Sequence, residues 1–448
     1  MSVPLLEKKL GIEVYASETP GIGGRIRQFP EDFIVEETLV DGSEAKISPV
    51  STPQLVGRGR YLVCVLVKRN WDTLRAVQNV AKQLGLSEKS IQIAGIKDAK
   101  ALTAQHVSIS CFSGITPDQV LKVKSKDISL YPQRFSNEKI SSQILLGNRF
   151  KIKIRVTSCS SSTVKRRIKN VLDELADFGG IPNFFGHQRF GTIRPVTHKV
   201  GKFIVQGDWK KAALTFLCQH SPYEHPQSRK ARQRLQTSQD FKEAQQYFPR
   251  TLHYERSMLR HLAGHPRDYV GAFRKLPPKL CKLFIQAYQS FLFNKFLSQR
   301  IKEGIPLNEA QEGDYIVDVG KHGLPTFTCS KTTAESPIKT KEEMNKGRIR
   351  IAIPLIGFKQ QPSNGVQGEI EQEILGRENV APQDFHISLM PKMSVTRGLR
   401  AIITPIQSFL CSLPKNEAKL SFTLHKSSYA TVLLREFMKP QDPIDAGF

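Results

Sequence analysis

The chain has 448 residues, with 66 Lys and Arg against 41 Asp and Glu, for a formal charge of +25. Such a length exceeds one ordinary hydrophobic core and predicts about two or three domains, while a hydrophobic content of 39% excludes a wholly disordered chain. The charge excess favours a polyanionic partner, because each neutralised phosphate releases counterions; a halo of solvated lysines is the plainer alternative.

In chain order, "FIVEETL" (33–39) and "RYLVCVLVK" (60–68) read as strands from their β-branched and apolar content, with a polar loop over 41–59 between them. "WDTLRAVQNVAKQLG" follows as a helix, with Leu74, Val77, Val80, Ala81 and Leu84 on one face and Gly85 as its stop. "IQIAG" and "QHVSIS" are strands flanking the turn "GIKDAKA", and "FKIKIRV" (150–156) is a strand whose basic face should meet solvent or phosphate. "SSTVKRRIKNVLDELADFGG" is a helix with Val164, Ile168, Val171, Leu172 and Leu175 inward. Its other face carries Lys165, Arg166, Arg167 and Lys169, either a solvated surface or an RNA contact.

Residues 220–250 are polar and basic, suiting surface helix and loop, and 279–304 predict a long helix apolar on most of its circumference. Short strand signals over 305–370 predict a small β-rich lobe. "KLSFTLHKSSYATVLLREFMK" shifts from a period of two to a helical period, giving strand, turn and helix.

Nucleotide-binding signatures are missing: there is no GxxxxGK[ST], and "GRGR" is too short for a dinucleotide site. Seven cysteines stand singly at 64, 111, 159, 218, 281, 329 and 411, without zinc or redox spacing, and predict buried thiols in a reducing compartment. His261 and His265 share a helical face but lack a third ligand, so no metal is expected. No run reaches the roughly eighteen apolar residues of a membrane span, and the first residues are too charged for a signal peptide, so a soluble, cytoplasmic protein is expected.

Three clusters could carry chemistry. Asp98 stands between Lys97 and Lys100, and cations beside a carboxylate favour its charged form; incidental surface ion pairs are the alternative. Asn148 and Phe150 in "GNRF" suit a nucleobase edge and face, or else a turn amide and a core ring. "PNFFGHQRFG" interleaves Phe184, Phe185 and Phe190 with His187, Gln188 and Arg189, consistent with a bound nucleotide or a packed hinge.

Together, "FPEDFIVEE", "AGIKDAKALTAQ", "GNRF", "PNFFGHQRFG", "AYQSFLFN" and "SYATVLLREF" resemble, in order, the motifs of the TruD-type tRNA pseudouridine synthases. The resemblance implies an α+β fold: a catalytic domain with a mixed, mostly antiparallel sheet and flanking helices, from 1–181 and 397–448, and an inserted family-specific α+β domain over 182–396. It implies isomerisation of uridine to pseudouridine in tRNA, at position 13, with no cofactor or metal, by a monomer. Asp98 becomes the catalytic aspartate and Arg27 its facing cation, capable of a bidentate grip. Asn148, Phe150 and Phe33 line the base pocket; Lys97, Lys100, Arg189, Arg166 and Arg167 are candidate RNA contacts. One departure is Lys426-Ser427-Ser428, where the family commonly has a glycine-bearing turn. A non-catalytic RNA-binding or ribosome-associated protein is the rival reading.

Overall fold

Strand β1 (Phe33–Leu39) matches its expected span and lies inside an eight-stranded sheet. The computed structural model describes residues 2–48, 55, 57–123, 125–155, 159–333, 337–414 and 417–448; the expected loop over 41–59 lies partly outside these. The chain continues through β2 (Tyr61–Arg69), β3 (Ile91–Ile93), β4 (Leu102–Ser110), β5 (Ile128–Ser136) and β6 (Leu145–Arg155). Two smaller sheets hold β7 (Ile181–Pro182), β8 (Tyr315–Val319), β9 (Pro325–Lys331), β10 (Ile349–Pro354), β11 (Leu399–Ala401) and β12 (Ile403–Thr404). The chain then rejoins the large sheet as β13 (Gln407–Ser412) and β14 (Glu417–His425).

The large sheet is ordered β13-β14-β6-β1-β4-β2-β5, with β3 beside β4. β1 and β4 are parallel and the other pairs antiparallel. The fold is α+β. Strand alternation explains the layering: Leu62, Cys64 and Leu66 of β2 turn one way and bury against Ala76, Val77, Val80 and Ala81 of helix Thr73–Gln83. Asp72 caps that helix by accepting from the Arg75 amide at 3.1 Å. Leu74, expected on the buried face, is 51% exposed, because it lies about a quarter-turn off the face centre and Thr73 is buried instead.

Helix Ser161–Asp177, capped by Ser160, buries Val164, Ile168, Val171 and Leu175 as expected. The region between the two halves of the large sheet is mostly helical, and its spine is Pro278–Lys302, buried around most of its circumference. The expected β-rich lobe is the sheet β11-β10-β8-β9, with helices Pro337–Asn345 and Gly365–Glu378 added. His261 is occupied by Asp268 (Nε2 to Oδ2, 2.8 Å) and stacks on His265.

All seven cysteines are free, but only Cys64, Cys218 and Cys281 are buried as expected; Cys111 and Cys159 are half-buried, and Cys329 and Cys411 are exposed. Both sit on strands at the edges of their sheets. Basic residues expected to meet solvent or phosphate pair with acids: Lys151 of β6 meets Glu36 at 2.8 Å, and Arg155 meets Asp32 at 3.0 Å and Glu417 at 3.1 Å.

The N-terminal segment is stapled to the C-terminal helix Ala430–Met438 by a fully buried cation. Arg435 donates to Glu7 at 2.8 Å, to Glu436 at 2.6 Å and to the Val14 carbonyl at 2.9 Å. Removing one member of such a cluster leaves uncompensated buried charge. Arg435→Met is therefore expected to lower the unfolding free energy by about 3–5 kcal/mol in urea titrations; a loss below about 1 kcal/mol would contradict this role.

Candidate active site

The turn between β3 and β4 is held by side chains that bond its backbone. Gln105 of β4 donates to the Gly95 carbonyl (3.1 Å), the Lys97 amide donates to Thr73 Oγ1 (3.0 Å), and Lys68 Nζ donates to the Asp98 carbonyl (2.6 Å). Lys68 also reaches the Trp71 carbonyl at 2.8 Å and is wholly buried. It continues the inward face of β2 after Leu62, Cys64 and Leu66, so a charge occupies a position where alternation calls for an apolar residue. These bonds fix the direction in which the Asp98 side chain leaves the turn.

Arg27 meets Asp98 from the other side, Nη2 to Oδ1 at 2.6 Å, with side chains 8% and 18% exposed. The grip is not bidentate: Nη1 donates instead to the Gly447 carbonyl at 3.0 Å. The guanidinium lies 3.9 Å over the Phe33 ring, and burial pulls the Arg27 pKa down from its usual value against the upward pull of Asp98. Arg27 itself has φ 56°, a left-handed backbone unusual for a non-glycine residue. Gln188 Nε2 also donates to Asp98 Oδ1, at 2.5 Å. Both donors use Oδ1, and among the described residues Oδ2 has no hydrogen-bond partner.

Arg27, Phe33, Lys97, Asp98, Asn148 and Phe150 line one cleft of about 340 Å³, joined by Gln188 and Tyr429. That volume is enough for a ligand of nucleoside size. The β-register explains the gathering. Glu37 pairs with Asn148 and Val35 with Phe150 across β1 and β6, and Phe422 of β14 pairs with Phe150 from the far side. Gly147 lets β14 approach, since a Cβ there would stand 2.2 Å from the Leu424 carbonyl oxygen.

The aromatic rings differ in access. Phe33 is 1% exposed beneath Arg27, so it supports the guanidinium; Phe150 is 5% exposed and packs on Phe422 at 5.5 Å. Tyr429 is only half-buried at the cleft wall and offers the more accessible ring. Among the expected RNA contacts, Lys100 and Arg166 are exposed, whereas Arg167 donates to the Gly21 carbonyl at 2.7 Å. Arg189 is half-buried and donates to Ser290 at 3.0 Å. Lys97 faces inward, 6% exposed, because Glu37 lies 2.7 Å from its ammonium.

The "PNFFG" segment forms the joint behind the cleft. Arg400 donates to the Asn183 carbonyl (2.9 Å), Asn183 Oδ1 (2.7 Å) and the Ser427 carbonyl (2.9 Å). Asn294 of the spine helix closes on Phe185, accepting from its amide at 2.8 Å and donating to its carbonyl at 3.0 Å. Glu37, Lys68, Arg400 and Tyr429 were not singled out from sequence. A signal existed for two of them, a charge at an inward position of an alternating strand.

Two consequences are measurable. Burial pulls the Lys68 pKa down to about 8, against 10.5 for an ordinary lysine. Between those pH values the folded state binds fewer protons than the unfolded one, so Lys68 makes stability rise with pH across that window, by on the order of 2 kcal/mol. Lys68→Met should remove that rise in urea titrations compared at pH 8 and pH 10; parallel wild-type and variant curves would contradict it. Ser427 has φ 67° in the turn where a glycine was expected from the resemblance. Ser427→Gly should therefore raise the unfolding free energy by about 0.5–1 kcal/mol, and a lower melting temperature would contradict this.

The profile of tRNA pseudouridine synthase D (TruD) matches residues 9–437. A Methanosarcina barkeri protein named "Probable tRNA pseudouridine synthase D" is 39% identical over 451 residues, covering 99% of each chain. A Thermococcus onnurineus protein of the same name is 38% identical over 431 residues, covering 95% of this chain and 97% of its own. The crystal structure of a Methanosarcina mazei protein assigned as tRNA pseudouridine synthase D superposes with a TM-score of 0.81 at 38% identity, over 98% of this chain and 99% of that one. The likeness thus spans the large sheet, the helical middle and the C-terminal helix in one register, and the chain belongs to the tRNA pseudouridine synthase D (TruD) family.

Proposed function

We propose that this protein converts uridine to pseudouridine in tRNA, with position 13 as the target, and that the Asp98 cleft is where the base is turned. The observation that carries the reading is the convergence of Arg27, Asp98, Asn148 and Phe150, from three separate segments, on one nucleoside-sized cleft. Family membership supports the reaction class, and the charge of +25 supports a polyanionic substrate. A tRNA substrate supports a cytoplasmic location.

The reaction breaks the N1–C1′ bond, rotates the uracil, and forms a C5–C1′ bond. C5 loses a proton and N1 gains one, so the product is an isomer and no cofactor enters the balance. A stacked uridine is out of reach, so the nucleotide must flip into the cleft. Tyr429, with Phe150 in the cleft lining, supplies aromatic surface to replace lost stacking, and Asn148 supplies an amide for the base edge. Arg27 and Gln188 hold Oδ1 of Asp98, leaving Oδ2 to act at the ribose. Two routes use that oxygen: attack on C1′, or removal of the C2′ proton. A primary isotope effect from deuterium at C2′ separates them.

Asp98→Asn is expected to reduce single-turnover tritium release from C5-labelled tRNA by about 10³-fold or more, with RNA affinity within about twofold of wild type. Retained turnover would contradict the assignment and leave the cleft as a binding site only.

A further inference from the structure

Lys97 touches Asn148 as well as Glu37. Its Nζ donates to Asn148 Oδ1 at 2.7 Å and lies 2.7 Å from Glu37 Oε1, with the two charged side chains 5% and 0% exposed. Glu37 is anchored in turn, accepting the His106 main-chain amide at 2.8 Å, with His106 Nδ1 at 3.3 Å. Burial pushes the Glu37 carboxyl up, but His106 and Lys97 outweigh it and hold it below the usual range. The row His106–Glu37–Lys97–Asn148 thus runs from the dry interior to the cleft wall.

An ammonium has three donors and no acceptor, so the amide atom facing Lys97 must be the oxygen. Asn148 Nδ2 then points away from Lys97, and among the described residues it has no hydrogen-bond partner. An unrestrained amide is ambidextrous: rotated by half a turn it presents oxygen or nitrogen. Uracil accepts at its 4-carbonyl, whereas cytosine donates from its 4-amino group. With Nδ2 at the 4-position of the base, only the orientation fixed by Lys97 meets uracil with a donor and opposes cytosine with one.

From this geometry we infer that Lys97 is the positioning residue for base selection, locking the Asn148 amide so that the cleft accepts uracil and rejects cytosine. The inference rests on reading the cleft as a uridine site. It also gives the buried Glu37 carboxylate a purpose, keeping the ammonium in place between two acceptors.

The test compares the binding of tRNA transcripts carrying uridine or cytidine at the modified position. Asp98→Asn protein is used so that no turnover occurs. A preference for uridine of about tenfold to a hundredfold is expected. Adding Lys97→Met should bring the ratio to within about threefold, and Lys97→Arg should restore much of it. A purely structural role would lower both affinities and leave the ratio unchanged, which would overturn the inference. Should Lys97→Met fail to fold with Glu37 unpaired, Glu37→Gln/Lys97→Met removes both charges and is expected to give the same lost ratio. Asn148→Asp keeps the Lys97 contact and presents an acceptor, so it should invert the preference toward cytidine; persistent uridine preference would overturn the inference. If wild type makes pseudouridine while the Asp98→Asn protein binds both transcripts equally, the inference falls and the functional reading stands. If wild type makes none, the functional reading itself falls.

Discussion

The ion pair between Arg27 and Asp98 joins positions 71 residues apart in the chain, and the rest of the cleft is arranged around it. Neither group is fully in water, so each depends on the other to offset desolvation. Their geometry matters more than their strength. Arg27 divides its fork between Asp98 and the Gly447 carbonyl, and it rests on Phe33. The result is a carboxylate gripped by one oxygen and open at the other, which a symmetrical bidentate pair would have closed.

Holding that pair demands rigidity on both sides. On the Asp98 side, Lys68, Thr73 and Gln105 consume the backbone polar groups of the turn. On the Arg27 side, the C-terminal residues contribute through Gly447, whose φ of 95° and contact with the Ile26 carbonyl oxygen leave no room for a Cβ. The C-terminal helix is in turn fixed by Arg435 to Glu7. Order in the cleft is therefore bound to the docking of the two chain ends on each other, and buried charges, not only apolar contacts, hold that docking.

Much of this frame was legible in the residues. β1, helix Ser161–Asp177 and the spine helix follow from periodicity and caps, and the match of Arg27 to Asp98 came from the resemblance, since no local pattern links positions so far apart. What was hidden had physical causes. Lys97 lies in a turn, where no alternation tells a reader whether a lysine points in or out; the deciding fact is Glu37 across the sheet. Glu37 itself continues the inward series Phe33, Val35, Leu39, and Lys68 does the same on β2, so both were readable as charges in core positions. β13 was missed because an exposed edge strand has little alternation.

Isomerisation of uridine in tRNA by the cleft around Asp98 can be observed on the product itself. The most direct measurement incubates the purified full-length protein with an unmodified tRNA transcript in the presence of a chelator, then maps pseudouridine chemically at every uridine. Pseudouridine at position 13, approaching one per tRNA, is expected. A transcript that is bound but carries no pseudouridine at any position would contradict it.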